Sequence, residues 1–196
     1  MFCFSWVFVS IVHLLVLLTL LSVHFSSLFT CSFPFLFHTH THTTQEGVSS
    51  EACSLAGHLK LGKLCVLYDD NDITIDGGTN LSFTEDVAMR FEAYGWHVQI
   101  VADGNTPNTA ALEAAIAAAK LVTDRPSMIK VKTTIGLGSG KEGTHKVHGS
   151  PLGDEDLAQV KTRFGFDPTQ KFVVPDAVRQ VYAGCLERGN VAFTEW

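Results

Sequence analysis

The chain has 196 residues, 46 % of them apolar, and a formal net charge of -6 from 14 Lys and Arg against 20 Asp and Glu. That length and apolar content suit one domain of ordinary size with a sizeable core. The mild acidity and the scattered basic residues exclude a nucleic-acid-binding surface.

Charge is unevenly spread. No Asp, Glu, Lys or Arg precedes Glu46, and eight of the 14 Phe fall in the first 37 residues. Residues 1–44 therefore read as a hydrophobic, low-complexity segment set apart from the domain that follows. Within it, Trp6 to Val23 is an uncharged run of 18 residues, at the lower limit for a membrane-spanning helix. It lacks the positive n-region and small-residue cleavage site of a signal peptide, and the flanking Lys or Arg that orient an anchor. Another reading fits the composition: Phe, Leu, Ser, Cys and Pro come largely from pyrimidine-rich codons, and the His-Thr alternation from His38 to Thr43 is what a CA repeat encodes. Followed by Gln45, this is the pattern of translated non-coding sequence ending at a splice acceptor. Both readings stand, and a membrane partner is expected only if residues 6–23 are genuine. His38, His40 and His42 form a metal site by composition only, with no carboxylate or Cys nearby.

The five Cys (Cys3, Cys31, Cys53, Cys65 and Cys185) form no CxxC pair and no disulfide framework. Cys53 and Cys65 fall on apolar faces, where a free thiol acts as a small hydrophobe in a reducing compartment.

From Glu46 the pattern changes to alternating helices and strands. Ser49-Ser50-Glu51 opens a helix whose Ala52, Leu55, Ala56 and Leu59 share one stripe, and Gly62 stops it. Leu64 to Tyr68 is a continuous apolar run, as expected of a strand covered on both faces. A second helix spans Thr84 to Tyr94 and closes at Gly95; Trp96 to Val101 is a strand. An Ala-rich helix starting around Asn105 to Asn108 runs through Leu121, broken by Asp124-Arg125-Pro126, and Ser127 to Thr133 is the next strand. A long glycine-rich loop follows, of the kind that usually carries function in a compact domain. Asp154 to Phe164 and Pro175 to Arg188 read as helices, Phe166 to Val174 as extended chain, and 189–196 as a tail. This alternation implies βαβ units and an α/β fold, a parallel sheet flanked by helices.

Open sheets of this kind bind ligands at the carboxyl edge of their strands. Asp69, Asp70 and Asn71 stand at the end of the buried strand, and such oxygen ligands suit Mg²⁺ or Ca²⁺. Taken alone, Asp-Asp-Asn after a strand is more often a turn. GLGSG, from Gly136 to Gly140, is by itself a weak signal for close backbone approach to a ligand.

Two longer stretches carry more. Glu46 to Asp76 (EGVSSEACSLAGHLKLGKLCVLYDDNDITID) and Thr133 to Gly153 (TTIGLGSGKEGTHKVHGSPLG) resemble the N-terminal diphosphate-binding domain of transketolase, a thiamine-diphosphate enzyme. The resemblance covers roughly residues 45–188, a partial domain. It implies a transfer of a two-carbon ketol unit between sugar phosphates, in the pentose phosphate pathway or the Calvin cycle, with thiamine diphosphate and Mg²⁺ (or Ca²⁺) as cofactors. It also implies that Asn71 and the carbonyl of Ile73 hold the metal that bridges the diphosphate. His148, in HGSPLG, would contact the diphosphate and the substrate side of the cofactor as a catalytic and binding residue. Ile75 and Ile135 would pack near the thiazolium ring, and Glu46, in QEG, would lie at the interface of a homodimer. A cytoplasmic or plastid location goes with the family.

One departure is large. The family's Gly-Asp-Gly should fall at residues 40–42, where this chain has His40-Thr41-His42, so a metal-facing carboxylate is missing. The second domain, whose glutamate activates the aminopyrimidine, has no counterpart among these residues either. The chain by itself is therefore expected to be inactive. A non-catalytic remnant that docks onto other subunits, or part of a sister enzyme such as dihydroxyacetone synthase, are the alternatives.

Overall fold

A computed structural model of the chain describes residues 35–40 and 44–195. The apolar run Trp6 to Val23 lies outside the described residues, as do Thr41 and His42. Among the described residues no helix is long and apolar enough to cross a membrane.

Among the described residues, four strands form one sheet: β1 (Phe35–His40), β2 (Leu64–Asp70), β3 (His97–Val101) and β4 (Ser127–Lys132). Their order is β1-β2-β4-β3 and every pairing is parallel, so all carboxyl ends share one edge. Helix α1 (Gly47–His58) links β1 to β2, α2 (Val87–Ala93) links β2 to β3, and α3 (Ala110–Leu121) links β3 to β4. The first two connections step across the sheet in one direction and the third steps back. Right-handed crossovers then require α1 and α2 on one face and α3 on the other.

The core has that arrangement. Ala56 of α1 and Val87 and Phe91 of α2 pack with Leu64, Val66, Tyr68 and Met128 on one face. Ala115 and Ala119 of α3 pack with Cys65, Val101, Ile129 and Val131 on the other. Successive strand residues point to opposite faces, which is why 64, 66 and 68 separate from 65. Both faces of β2 are covered, so Leu64–Tyr68 reads as an unbroken apolar run rather than as alternation, whereas β4 carries Lys130 and Lys132 toward its carboxyl end.

Phe35–His40, set apart from the domain on composition, lies in parallel register with β2, Phe35 opposite Leu64 and His40 opposite Asp69. Arg90 of α2 holds the chain just after it. Its guanidinium donates to the Thr44 carbonyl at 3.0 Å and to Ser50 Oγ at 3.2 Å, and pairs with Glu85 at 2.8 Å. Elsewhere the helix ends shift. Asp86 rather than Thr84 caps α2, its carboxylate accepting from the Met89 N–H at 3.2 Å. An ionised side chain at that position satisfies a free helical N–H that a hydroxyl two residues earlier cannot reach.

The described chain divides into two compact units. One runs to Leu137 and includes Lys141–Pro151; the other comprises Gly138–Gly140 and the chain from Leu152. In the second unit, α4 (Asp154–Arg163) is anchored by Asp156, whose carboxylate accepts from Ser139 Oγ at 2.6 Å and from the Gly140 N–H at 2.9 Å. Helix α5 (Asp176–Glu195) continues past Arg188, through the stretch read as a tail. Gly189 lies inside it, with open space where a Cβ would stand.

Cys53 and Cys65 sit among apolar neighbours as expected. Burial pushes the Cys53 thiol up to about 11 from its ordinary 9.0, partly offset by the nearby Arg90 charge, and Cys65 shifts the same way. A raised acid pKa favours the folded state below the unfolded value and loses that advantage as pH rises through the folded one. Urea midpoints should therefore fall between pH 9.0 and about 11. Cys53→Ala should fall less steeply over that window, and equal slopes would contradict the assignment.

Candidate cofactor-binding edge

The carboxyl ends of β2 and β4 lie side by side, Asp69 opposite Val131 and Asp70 opposite Lys132. Beyond β2 the chain makes a tight turn. Asn71 is buried, at 8 % exposure, and its Oδ1 accepts from the Ile73 N–H at 3.0 Å. Asp72 adopts the left-handed conformation, φ 60°, which Asp tolerates better than most residues. The turn is closed by the Thr79 N–H on the Asp72 carbonyl at 2.9 Å and the Thr74 N–H on the Gly77 carbonyl at 2.7 Å. An antiparallel bridge between Ile73 and Gly78 completes it. Asn71 and Ile73 thus share one rigid corner at the strand's end, where the sequence placed them.

Charges around this corner are paired. Asp70 meets Lys130 at 3.2 Å and Lys132 at 3.6 Å, and Lys132 also bridges to Asp72. Asp69 accepts from the hydroxyl of Thr133, and its Oδ2 lies 3.5 Å from Asn71 Nδ2. Lys130 and Lys132 are two apart on a strand and so share a face. Sequence shows the residue types on both sides, but their pairing follows only from the β2–β4 register. A cavity of about 250 Å³ opens beside these ion pairs, lined by Tyr68, Asp70, Thr79, Phe83 and Lys130 among others. Of the residues nominated from sequence, its lining includes Asp70 but not Glu46, Asn71, Ile73, Ile75, Ile135 or His148.

Ile75 is 63 % exposed, so it is not part of the core, the alternative reading for an isoleucine. Ile135 is half-buried at the start of the glycine-rich loop, and its carbonyl accepts from the Gly143 N–H at 2.8 Å. Gly136 has φ 66°, and a Cβ there would stand 2.8 Å from Val147, so the loop folds back on itself at that glycine. That closure sets Val147, in the turn His145–Val147, against Gly136, and His148 follows it in the chain. His148 is half-buried and donates its backbone N–H to the His145 carbonyl at 3.0 Å; His145 is exposed. Glu46 is exposed at the N-cap of α1, where its carbonyl accepts from the Ser49 N–H and hydroxyl.

The corner offers neutral oxygens, the Asn71 amide and the Ile73 carbonyl, of the kind a hard divalent cation takes. It fits such an ion in donor type but not in charge. Asp69, Asp70 and Asp72 are already engaged, and among the described residues no three His, Cys, Asp or Glu side chains cluster as a metal site.

The fold has clear counterparts. The family model described as transketolase, thiamine diphosphate binding domain, matches residues 31–196. That match begins ahead of Gln45, where the resemblance read from sequence begins, and it takes in β1. Transketolase 1 of Saccharomyces cerevisiae is 55 % identical over 153 residues, and a probable transketolase of Schizosaccharomyces pombe is 56 % identical over 148. Among solved structures, a transketolase from Pichia stipitis in complex with xylulose 5-phosphate superposes with a TM-score of 0.78 at 44 % identity, covering 83 % of this chain. One from Leishmania mexicana superposes equally well, TM-score 0.78 at 45 % identity. The chain belongs to the transketolase family and carries its thiamine-diphosphate-binding domain. It spans about a fifth of the length of the curated relatives, 22 % of the Saccharomyces protein, and 24 % of the Pichia chain.

Proposed function

We propose that this domain contributes the diphosphate-binding edge for a transketolase reaction, the transfer of a two-carbon ketol unit between sugar phosphates. Thiamine diphosphate would supply the carbanion and electron sink when bound. Asn71 Oδ1 and the Ile73 carbonyl would hold Mg²⁺, with His148 placed to donate to phosphate oxygens. Ile75 and Ile135 would offer apolar surface to the thiazolium ring, and Glu46 would face a second subunit of a homodimer. The observation that carries this reading is the fixed corner at Asn71, in a chain 55 % identical to a transketolase. A cytoplasmic or plastid setting follows from the same family reading.

His40-Thr41-His42 supplies no carboxylate at the metal, so the chain assayed alone should transfer no ketol unit. Grafting is the informative assay. Residues 46–195 would replace their matching segment in the Saccharomyces relative, which would keep its own residues upstream. The chimaera should transfer from xylulose 5-phosphate, and Asn71→Ala should lower kcat/KM by about 100-fold, the scale on which loss of a metal-site group acts. A folded chimaera without activity would refute the proposal.

A further inference from the structure

We infer that Asp69 and Thr133 are positioning residues that dictate which way the Asn71 amide faces. The inference deepens the proposed function and rests on it for its consequence, though not for its geometry. An Asn side chain presents an acceptor and a donor of nearly the same shape on either side of one bond. Turned one way it offers oxygen to a cation; turned the other it offers an NH₂ group, which repels it.

Contacts on both sides of the amide favour one orientation here. Ionised carboxylates only accept, so Asp69 Oδ2, 3.5 Å from the Asn71 amide, calls for nitrogen on that side. The Ile73 N–H, 3.0 Å away on the other side, only donates and calls for oxygen. A flipped amide would set oxygen against carboxylate and NH₂ against N–H, losing both contacts. Thr133 holds the carboxylate that makes this choice. Its hydroxyl donates to Asp69 Oδ1, and its N–H donates to the Asp70 carbonyl at 3.1 Å. Asp70 and Asp72 are tied to Lys130 and Lys132, so Asp69 is the neighbouring carboxylate that addresses Asn71.

The test uses the ¹⁵N-labelled full chain without cofactor and reads amide exchange at Ile73, with the buried Ile129 in β4 as reference. Asp69→Asn keeps the shape but can donate as well as accept. Thr133→Val keeps the shape but loses the hydroxyl, and Thr133→Ser restores it. A hydrogen bond worth about 1 kcal/mol corresponds to roughly fivefold in exchange. Exchange at Ile73 should therefore quicken about fivefold in Asp69→Asn and about threefold in Thr133→Val, and stay near native in Thr133→Ser, with Ile129 unchanged throughout. Native-like exchange at Ile73 in both Asp69→Asn and Thr133→Val overturns the inference. If Asp69→Asn exposes Ile129 by unfolding, the Thr133→Val and Thr133→Ser pair decides in the same terms. Titration with Mg²⁺ and thiamine diphosphate separates the two claims: absence of binding to the native chain counts against the functional reading, while the exchange result still decides the role of Asp69.

Discussion

Gly57→Ala should destabilise the protein by about 3 kcal/mol, although alanine is the better helix former. Gly57 lies inside α1, where replacing glycine by alanine ordinarily stabilises by about 1 kcal/mol. Here the added Cβ would stand 1.9 Å from the Tyr94 carbonyl oxygen and 3.0 Å from its carbon. That carbonyl is backbone at the end of α2, so it cannot move aside as a flexible side chain would. The surroundings are equally fixed. Trp96 donates its indole N–H to the Cys53 carbonyl at 2.8 Å and meets Phe91 edge-on at 5.0 Å between ring centres. Separating α1 from α2 would break this contact and open the core cluster on that face. Overpacking in such a site costs about 3 kcal/mol, a large share of the 5 to 15 kcal/mol, roughly, that holds a domain folded. Gly47→Ala is the control, since nothing lies within 4 Å of its added Cβ. Urea titration should show a large fall in midpoint for Gly57→Ala and none for Gly47→Ala. Matching midpoints would mean that the α1–α2 contact is looser than described.

Restoring Gly-Asp-Gly at residues 40–42 should raise the affinity for Mg²⁺ and thiamine diphosphate by about 100-fold. Asn71 and Ile73 offer two neutral oxygens, and the carboxylates beside them are committed to Thr133, Lys130 and Lys132. A divalent cation is the largest local charge in such a site, and Mg²⁺ beside phosphates is usually held by one or two carboxylates as well. His40 ends β1 opposite Asp69, on the strand next to the one that leads into the Asn71 corner. Calorimetry on the triple variant His40→Gly, Thr41→Asp, His42→Gly would read the gain. Thr41→Asn in the same background separates charge from shape and should recover little. An affinity unmoved by the aspartate would place the metal's charge requirement elsewhere.

Much of this architecture was legible in the sequence because local signals and tertiary demands agreed. The run Leu64 to Tyr68 is apolar throughout since β2 is covered on both faces, and Ala110 to Leu121 is helical on propensity as well as packing. β1 was hidden for the same reason that β2 was visible. Its uncharged Phe-Leu-Phe beginning merges into a longer apolar run, and nothing in that composition marks where a strand starts. At the edge, Asn71 and Ile73 could be placed from sequence because a strand end and a turn are local features. The Asp69–Thr133 contact could not, because it joins residues 64 positions apart that meet only once β2 and β4 pair. The Arg90 hold on Thr44 was missed likewise, since a lone Arg on a helix reads as solvated until its neighbours are known.

On the proposed reading, the corner after β2 and the loop after β4 together would receive the diphosphate of the cofactor. It is tested most directly by NMR of the labelled chain titrated with thiamine diphosphate and Mg²⁺ to millimolar concentration. The account predicts shift changes centred on Asn71, Ile73, Ile135 and His148, reduced by Asn71→Ala. Changes confined to residues away from this edge, or none at all, would contradict it.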